Sequence, residues 1–221
     1  MQLNRRWTKG LQLESSYTLS TATDNGQSSS LFPGGNYPSN PSDQSADQGP
    51  SDFDVRHKFT ATAVWSSASL WSNNGLAHSV FNGFTVSTVF FAKSGTPYSA
   101  GAGGSAPGGL RAGVTGGGLP GLSRFPLFSR NAFRMPKTVN LDLRISRRFP
   151  IANGVNLEVL AEAFNLLNRT QVTELITRMY MPGGTASAST LTFDPAFQTV
   201  SAAGNSFIRE RQLQFAIRVE F

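Results

Sequence analysis

The stretch RQLQFAIRVEF, residues 211–221, decides the fold. Taken in steps of two from its end, Phe221, Val219, Ile217, Phe215 and Leu213 are all apolar. Between them lie Glu220, Arg218, Ala216, Gln214 and Gln212, and only Ala216 is not polar. A period of two is the signature of a strand, because successive side chains point to opposite faces. This strand has one apolar face and one polar face.

The same period recurs upstream in five more segments. In KGLQLESSYTLST (9–21), Leu11, Leu13, Tyr17 and Leu19 alternate with Gln12, Glu14, Ser16 and Thr18. In HKFTATAVW (57–65), Phe59, Ala61, Ala63 and Trp65 alternate with Lys58, Thr60 and Thr62. In GFTVSTVFFAK (83–93), Phe84, Val86 and Phe90 share a face, while Val89 and Phe91 make the other less polar. In TVNLDLRIS (138–146), Val139, Leu141, Leu143 and Ile145 oppose Asn140, Asp142, Arg144 and Ser146. In VNLEVLAEAF (155–164), Val155, Leu157, Val159 and Ala161 oppose Asn156, Glu158 and Glu162. The opening MQLNRRWTKG reads as the end of a preceding strand plus a turn.

The connections alternate in length. Segments 22–52, 94–137 and 165–205 are long and lack apolar periodicity; 66–82 is shorter, and PIANG (150–154) is a tight turn with an Asn-Gly hairpin signal. Long structureless loops argue against a compact soluble domain. A transmembrane β-barrel predicts both features: strands of roughly 10 residues, short periplasmic turns and longer external loops. The expected topology puts 22–52, 94–137 and 165–205 outside and 66–82 and 150–154 in the periplasm. Phe221 then lies at the periplasmic rim with Trp7, Trp65, Phe84 and Phe149, and Tyr17 and Phe91 lie nearer the outer rim, as aromatic girdles require.

Composition agrees. Only 39% of the chain is hydrophobic and 14% charged, against 22 Gly, 17 Phe and no Cys. That suits strands joined by polar loops and leaves no disulfide framework or thiolate metal site. The net charge of +6 is scattered, with pairs only at Arg5–Arg6 and Arg147–Arg148, so nucleic acid is not an expected partner. No run of about 18 apolar residues makes a transmembrane helix. The first ten residues have no apolar signal-peptide core, so an export signal is expected outside this chain.

The terminal strand resembles the recognition signal of outer-membrane β-barrel proteins, which the assembly machinery captures. The matching residues are Leu213, Phe215, Ile217, Val219 and Phe221. Four further stretches, SDFDVRHKFTATAVW (51–65), FNGFTVSTVFFAKSGTPYS (81–99), RNAFRMPKTVNLDLRISRRFPI (130–151) and LEVLAEAFNLLNRTQV (157–172), resemble consecutive C-terminal strands of a TonB-dependent receptor. They are most similar to the Oar-like group, which carries a carboxypeptidase-regulatory-like domain. The resemblance covers nearly the whole chain and implies a barrel of about 22 strands around an N-terminal plug. Six strands are fewer than the roughly eight at which single-chain barrels close. The expected fold is therefore all-β, an antiparallel meander of about six transmembrane strands. Residues 1–221 form the C-terminal segment of a larger outer-membrane barrel, excised or from a truncated gene, with no plug domain in them.

Candidate site residues follow from the polar faces. Glu158 and Glu162 share a face about 13 Å apart, too far for a carboxylate pair. With Asn140, Asp142 and Arg144 they are expected to line the lumen, in ion pairs or plug contacts. Arg147–Arg148 reads as a solvated periplasmic turn or a plug contact. The Gly-rich loop 101–118 lacks Gly-Lys-Ser/Thr and a following helix, so it reads as an external loop rather than a phosphate cradle. His57 and His78 have no second ligand at metal spacing. No Gly-x-Ser-x-Gly elbow occurs, Asn168-Arg169-Thr170 is a sequon without meaning in a bacterium, and EAFNLLNR (162–169) fits neither period well.

The resemblance implies part of a TonB-dependent transporter in the cell outer membrane, taking up a metal chelate, oligosaccharide or peptide, without catalysis, cofactor or metal. Its implied partners are outer-membrane lipid, the barrel-assembly machinery, the remaining barrel strands and plug, and the TonB system through the N-terminal part. The alternative is a non-transporting structural or adhesive outer-membrane barrel. A soluble all-β module would instead need the apolar faces to bury against a second sheet.

Overall fold

The computed structural model describes residues 1–8, 10–25, 45–67, 81–103, 122–124, 128–152, 154–185, 187–204 and 209–221. His78, Asn153, and most of both the 66–82 link and the Gly-rich loop lie outside them, as does the side chain of Trp7. Among the described residues seven strands form one antiparallel sheet in chain order: β1 (Gln2–Thr8), β2 (Leu11–Leu19), β3 (His57–Ser66), β4 (Phe84–Lys93), β5 (Thr138–Ala152), β6 (Val155–Phe164) and β7 (Gln212–Glu220). The added seventh strand is β1, which pairs with β2 from Gln2↔Ser16 to Thr8↔Leu11. The sheet is an open meander with β1 and β7 at its edges.

Register carries the sequence periodicity across the sheet. One rung runs Leu11–Trp65–Val86–Ile145–Ala161–Phe215. The adjacent rung runs Gln12–Val64–Ser87–Arg144–Glu162–Gln214. Directly opposed residues share a face, so every strand turns its apolar set to one side. A slip of one residue at any pairing would move a whole set across, which fixes the register wherever the two sides meet different surroundings.

Among the described residues no second layer covers the apolar side. The buried apolar residues among those described are Ala100, Ala102, Leu160, Ala163, Leu175 and Met179, and of these Ala163 alone belongs to this face. Its large side chains stay open instead: on β7 they range from 54% exposed at Val219 to 77% at Phe215, and Phe221, just past the strand, is fully exposed. Leu3, Leu19, Ile145, Ile151 and Val159 are exposed as well. A sheet packed against another in a soluble sandwich would bury these groups. An apolar face this broad and this bare matches a lipid-facing wall.

At one end the connections are tight. Ala152 pairs with Val155 across a tight turn, and Gly154 has a positive φ of +82°, which glycine adopts without strain. At the other end the connections are not structureless, as the sequence suggests, but carry short pairs. Thr23–Asp24 pairs with Gly49–Pro50, Pro97–Tyr98 with Phe133–Arg134, and Val172–Leu175 with Val200–Ala203. The hairpin of Arg178–Thr185 and Ala188–Phe193 joins Gly101–Gly103 in parallel, and Leu122–Arg124 completes that sheet. These strands are two to eight residues long and, apart from the Arg178–Thr185 hairpin, pair with distant segments, so no periodicity announces them. EAFNLLNR divides likewise: β6 runs to Phe164, and Asn165 turns the chain at φ 49°.

Candidate functional site

The polar side of the last three strands holds an ion-pair network. Arg144 on β5 lies 3.6 Å from Glu158 and 3.6 Å from Glu162 on β6. Arg218 on β7 reaches Glu158 from the other side at 3.5 Å. Arg148 spans from β5 to Glu220 on β7 at 2.9 Å. Glu158 is only 8% exposed, so its two arginines offset the cost of removing a carboxylate from water. The two glutamates that stand too far apart to pair directly are thus joined by one guanidinium.

Asn140 and Asp142 lie on the same side and fix the end of β6. Asn140 Nδ2 donates to Asp142 Oδ1 at 2.9 Å, and the same oxygen accepts the Asn165 N–H at 2.8 Å. Beyond β6, Gln171 replaces a strand partner for β5: its Oε1 accepts the Val139 N–H at 3.2 Å and its Nε2 donates to the Val139 carbonyl. All five residues expected on the lumen side therefore share one face, but Asn140 and Asp142 are engaged in local structure while Arg144, Glu158 and Glu162 form the network.

Above this face the three long connections interlock. Arg130, 2% exposed, pairs with Asp24, donates to the Asp24 carbonyl at 3.0 Å and lies 3.8 Å from Asp52. Asn131 Nδ2 donates to the Pro50 carbonyl at 2.8 Å and to Asp52 Oδ1 at 2.6 Å. Arg134 pairs with buried Asp54 and donates to the Gly95 carbonyl at 3.2 Å. On the far side Arg178 Nε donates to Asp194 at 2.7 Å, and Phe133 meets Phe197 edge-on at 5.5 Å. Rings continue the contact from Phe128 through Phe133, Phe197 and Phe193 to Tyr180. Burial pushes the Asp54 carboxyl up, but the Arg134 hydrogen bond, the Ala22 N–H and the charges of Arg134 and Arg56 outweigh it, and the net shift is down. Asp194 is also lowered, by the Ala196 N–H and by Arg178.

Between the loop layer and the rim of the sheet lies a cleft of about 500 Å³. Lys93 and Thr138 contribute to it from β4 and β5, and Tyr98, Gln171, Thr173 and Glu174 from the loops.

Other sequence-derived residues fall as follows. Leu213, Phe215, Ile217 and Val219 oppose Ala163, Ala161, Val159 and Leu157 on the bare apolar side. Trp65, Phe84 and Phe149 lie toward the tight-turn end of that side, where Arg147 sits 4.9 Å from the Phe84 ring and 4.6 Å from the Phe149 ring. Tyr17 lies toward the loop end and bonds His57 Nδ1 at 2.8 Å. Phe91 departs from the expected girdle: it pairs with Asn140 and Thr60, so it belongs to the polar side. The loop arginines and aspartates escaped the sequence reading. The available signal was charge complementarity between SDFDVR (51–56) and SRNAFR (129–134), which names no pairing by itself.

A family model described as an outer membrane beta barrel domain matches residues 1–120 and again 119–214. Comparison with curated proteins gives no match, and comparison with solved structures gives none.

Proposed function

Because the chain belongs to the outer membrane beta barrel domain family, and so sits in the outer membrane, we propose that it is the C-terminal wall of a TonB-dependent receptor that takes up a nutrient. In this reading β1–β7 continue into the other strands of a larger barrel around a plug. Arg144, Glu158 and Glu162 face the lumen, and the loop layer forms the external mouth. The chain binds and admits its ligand without covalent chemistry.

The observation that best supports transport is the placement of the loop layer. Two connections are held together by Arg130, Arg134 and their aspartates, the third joins them through Phe133–Phe197 and Gln198–Tyr98, and all three lie at the same end of the sheet. A wall with only a structural role needs the apolar face but not an ordered roof over the polar one. The strand that ends in Phe221 serves assembly: its alternate apolar residues lie fully available on an edge strand.

The test compares two deletions in the host, one of the full reading frame and one of TonB. Uptake of a panel of metal chelates, oligosaccharides and peptides is measured in each. Transport predicts that both strains lose the same nutrient. Unchanged uptake with loss of surface adhesion in the first strain would favour the structural or adhesive barrel.

A further inference from the structure

We propose that the loop-end rung of the polar face binds the anionic group, a carboxylate or a phosphate, of a soluble ligand. The inference deepens the transport reading and rests on it for the ligand's purpose, but not for the binding itself. The rung runs Thr18–Lys58–Lys93–Thr138 across β2, β3, β4 and β5. Lys58 and Lys93 are direct cross-strand partners. Like charges placed directly opposite destabilise a sheet.

The other charges described on this face have ion-pair or hydrogen-bond partners. Among the described strand residues, Arg144 and Arg218 pair with Glu158, Arg144 with Glu162, and Arg148 with Glu220. Glu14 accepts from Gln2, and Asp142 from Asn140 and Asn165. Among the described residues of this face, Lys58 and Lys93 are like charges set directly opposite each other, and neither has an ion pair. A local conflict left in an otherwise consistent sequence marks a place where function outweighs stability.

The second observation is the cleft. Lys93 and Thr138 line it, with the hydroxyls of Thr96 and Tyr98 and the amide of Gln171. An anion seated there meets the Lys93 ammonium and several neutral donors, while Lys58 stands next to Lys93 on the sheet, outside the lining residues. Glu174 lines the same cleft, so a ligand with one anionic group on a neutral or cationic body suits it better than a polyanion. Lipid lies on the wrong side: the neighbouring rung Tyr17–Phe59–Ala92–Val139 belongs to the apolar face and the lysine rung does not.

The chain contributes four lysines, Lys9, Lys58, Lys93 and Lys137, whose signals are identified by substitution. Reductive methylation with ¹³C-formaldehyde keeps their charge and labels them for NMR. The full protein, extracted in detergent from the outer membrane, is titrated with inorganic phosphate and with acetate, against chloride at matched ionic strength. Lys58→Arg and Lys93→Arg variants assign the signals. The expected result is a saturating shift of Lys58 and Lys93 together, with Lys9 and Lys137 unmoved. Lys58→Gln should weaken the Lys93 response at least tenfold. The anion that half-saturates at the lower concentration identifies the chemistry. A shift that is linear and common to all four lysines, or one produced only by phosphatidylglycerol micelles, would overturn the proposal. A barrel that binds the anion but transports nothing would overturn the transport reading alone.

Discussion

Arg134 closes on the carboxylate of Asp54, 80 residues earlier in the chain, and the Asp54 side chain is wholly buried. The pair ties the β2–β3 connection to the β4–β5 connection, and the same guanidinium holds Gly95. Asp54 has a lowered folded pKa, so its contribution is complete above its ordinary value of 3.8 and is lost as pH falls through the lowered one. The loop layer should therefore stay closed at neutral pH and open in strong acid. Arg134→Ala leaves a buried carboxylate with its main attraction gone. Because Arg134 is 32% exposed, the loss should be roughly 2–3 kcal/mol rather than the full cost of a buried pair. Hydrogen exchange over 49–56 and 94–100 should show the variant more open than the parent at pH 6, with the difference narrowing as acid removes the Asp54 charge. Identical profiles would remove the clasp from the account.

Gly95 marks where two loop backbones touch. A Cβ there would lie 1.7 Å from the Met135 carbonyl oxygen, so Gly95→Ala must push the segments apart. Overpacking of this kind costs about 1–3 kcal/mol. The variant should assemble in normal amount, since β4 and β5 are unaffected, but its loops should be cut faster by added protease on intact cells. Unchanged cleavage would mean that the close approach is not needed.

The direction of insertion is testable with cysteines, since the native chain has none. Ser187→Cys, in the loop-end hairpin, should react with an impermeant maleimide on intact cells. Ala152→Cys, at the tight-turn end, should react only after the cells are opened. The reverse pattern would place the loop layer in the periplasm.

Phe221 separates energy from recognition. Burial of one such ring at a membrane interface is worth roughly 1.5–3 kcal/mol. Were that its whole role, Phe221→Ala would lower thermal stability modestly with assembly intact. The assembly role predicts a loss of folded receptor beyond that energy, with Phe221→Tyr tolerated because the ring remains. Wild-type levels of folded Phe221→Ala would remove the residue from the assembly signal.

Much of the sheet was legible because period-two alternation reports surroundings directly. Where lipid-like and polar sides differ, each strand from 11–19 to 212–220 spells its own orientation. Asn153-Gly154 spells its turn, and the shared polar face of Arg144, Glu158 and Glu162 was readable from the same alternation. The loop layer was not legible. Its bonds depend on closure of long loops: Arg130 meets Asp24 across 106 residues, and nothing local selects that partner. The short loop strands hide for the same reason. Phe91 misled because aromatic identity suggests a rim while only register assigns a face.

The central claim is that the bare side of the sheet meets lipid and the other side meets water. Phe215 and Gln214 are neighbours on β7 that belong to opposite rungs, the first beside Ala161 and the second beside Glu162. An arginine on the lipid side of a barrel costs roughly 2–4 kcal/mol near the midplane. An arginine at 214 would gain Glu162 as a neighbour. The measurement is the fraction of receptor that runs as the folded, heat-modifiable form in the outer membrane for Phe215→Arg and for Gln214→Arg. The account predicts that the first is largely lost and the second is near wild type. Equal assembly of both, or loss of Gln214→Arg alone, would contradict it.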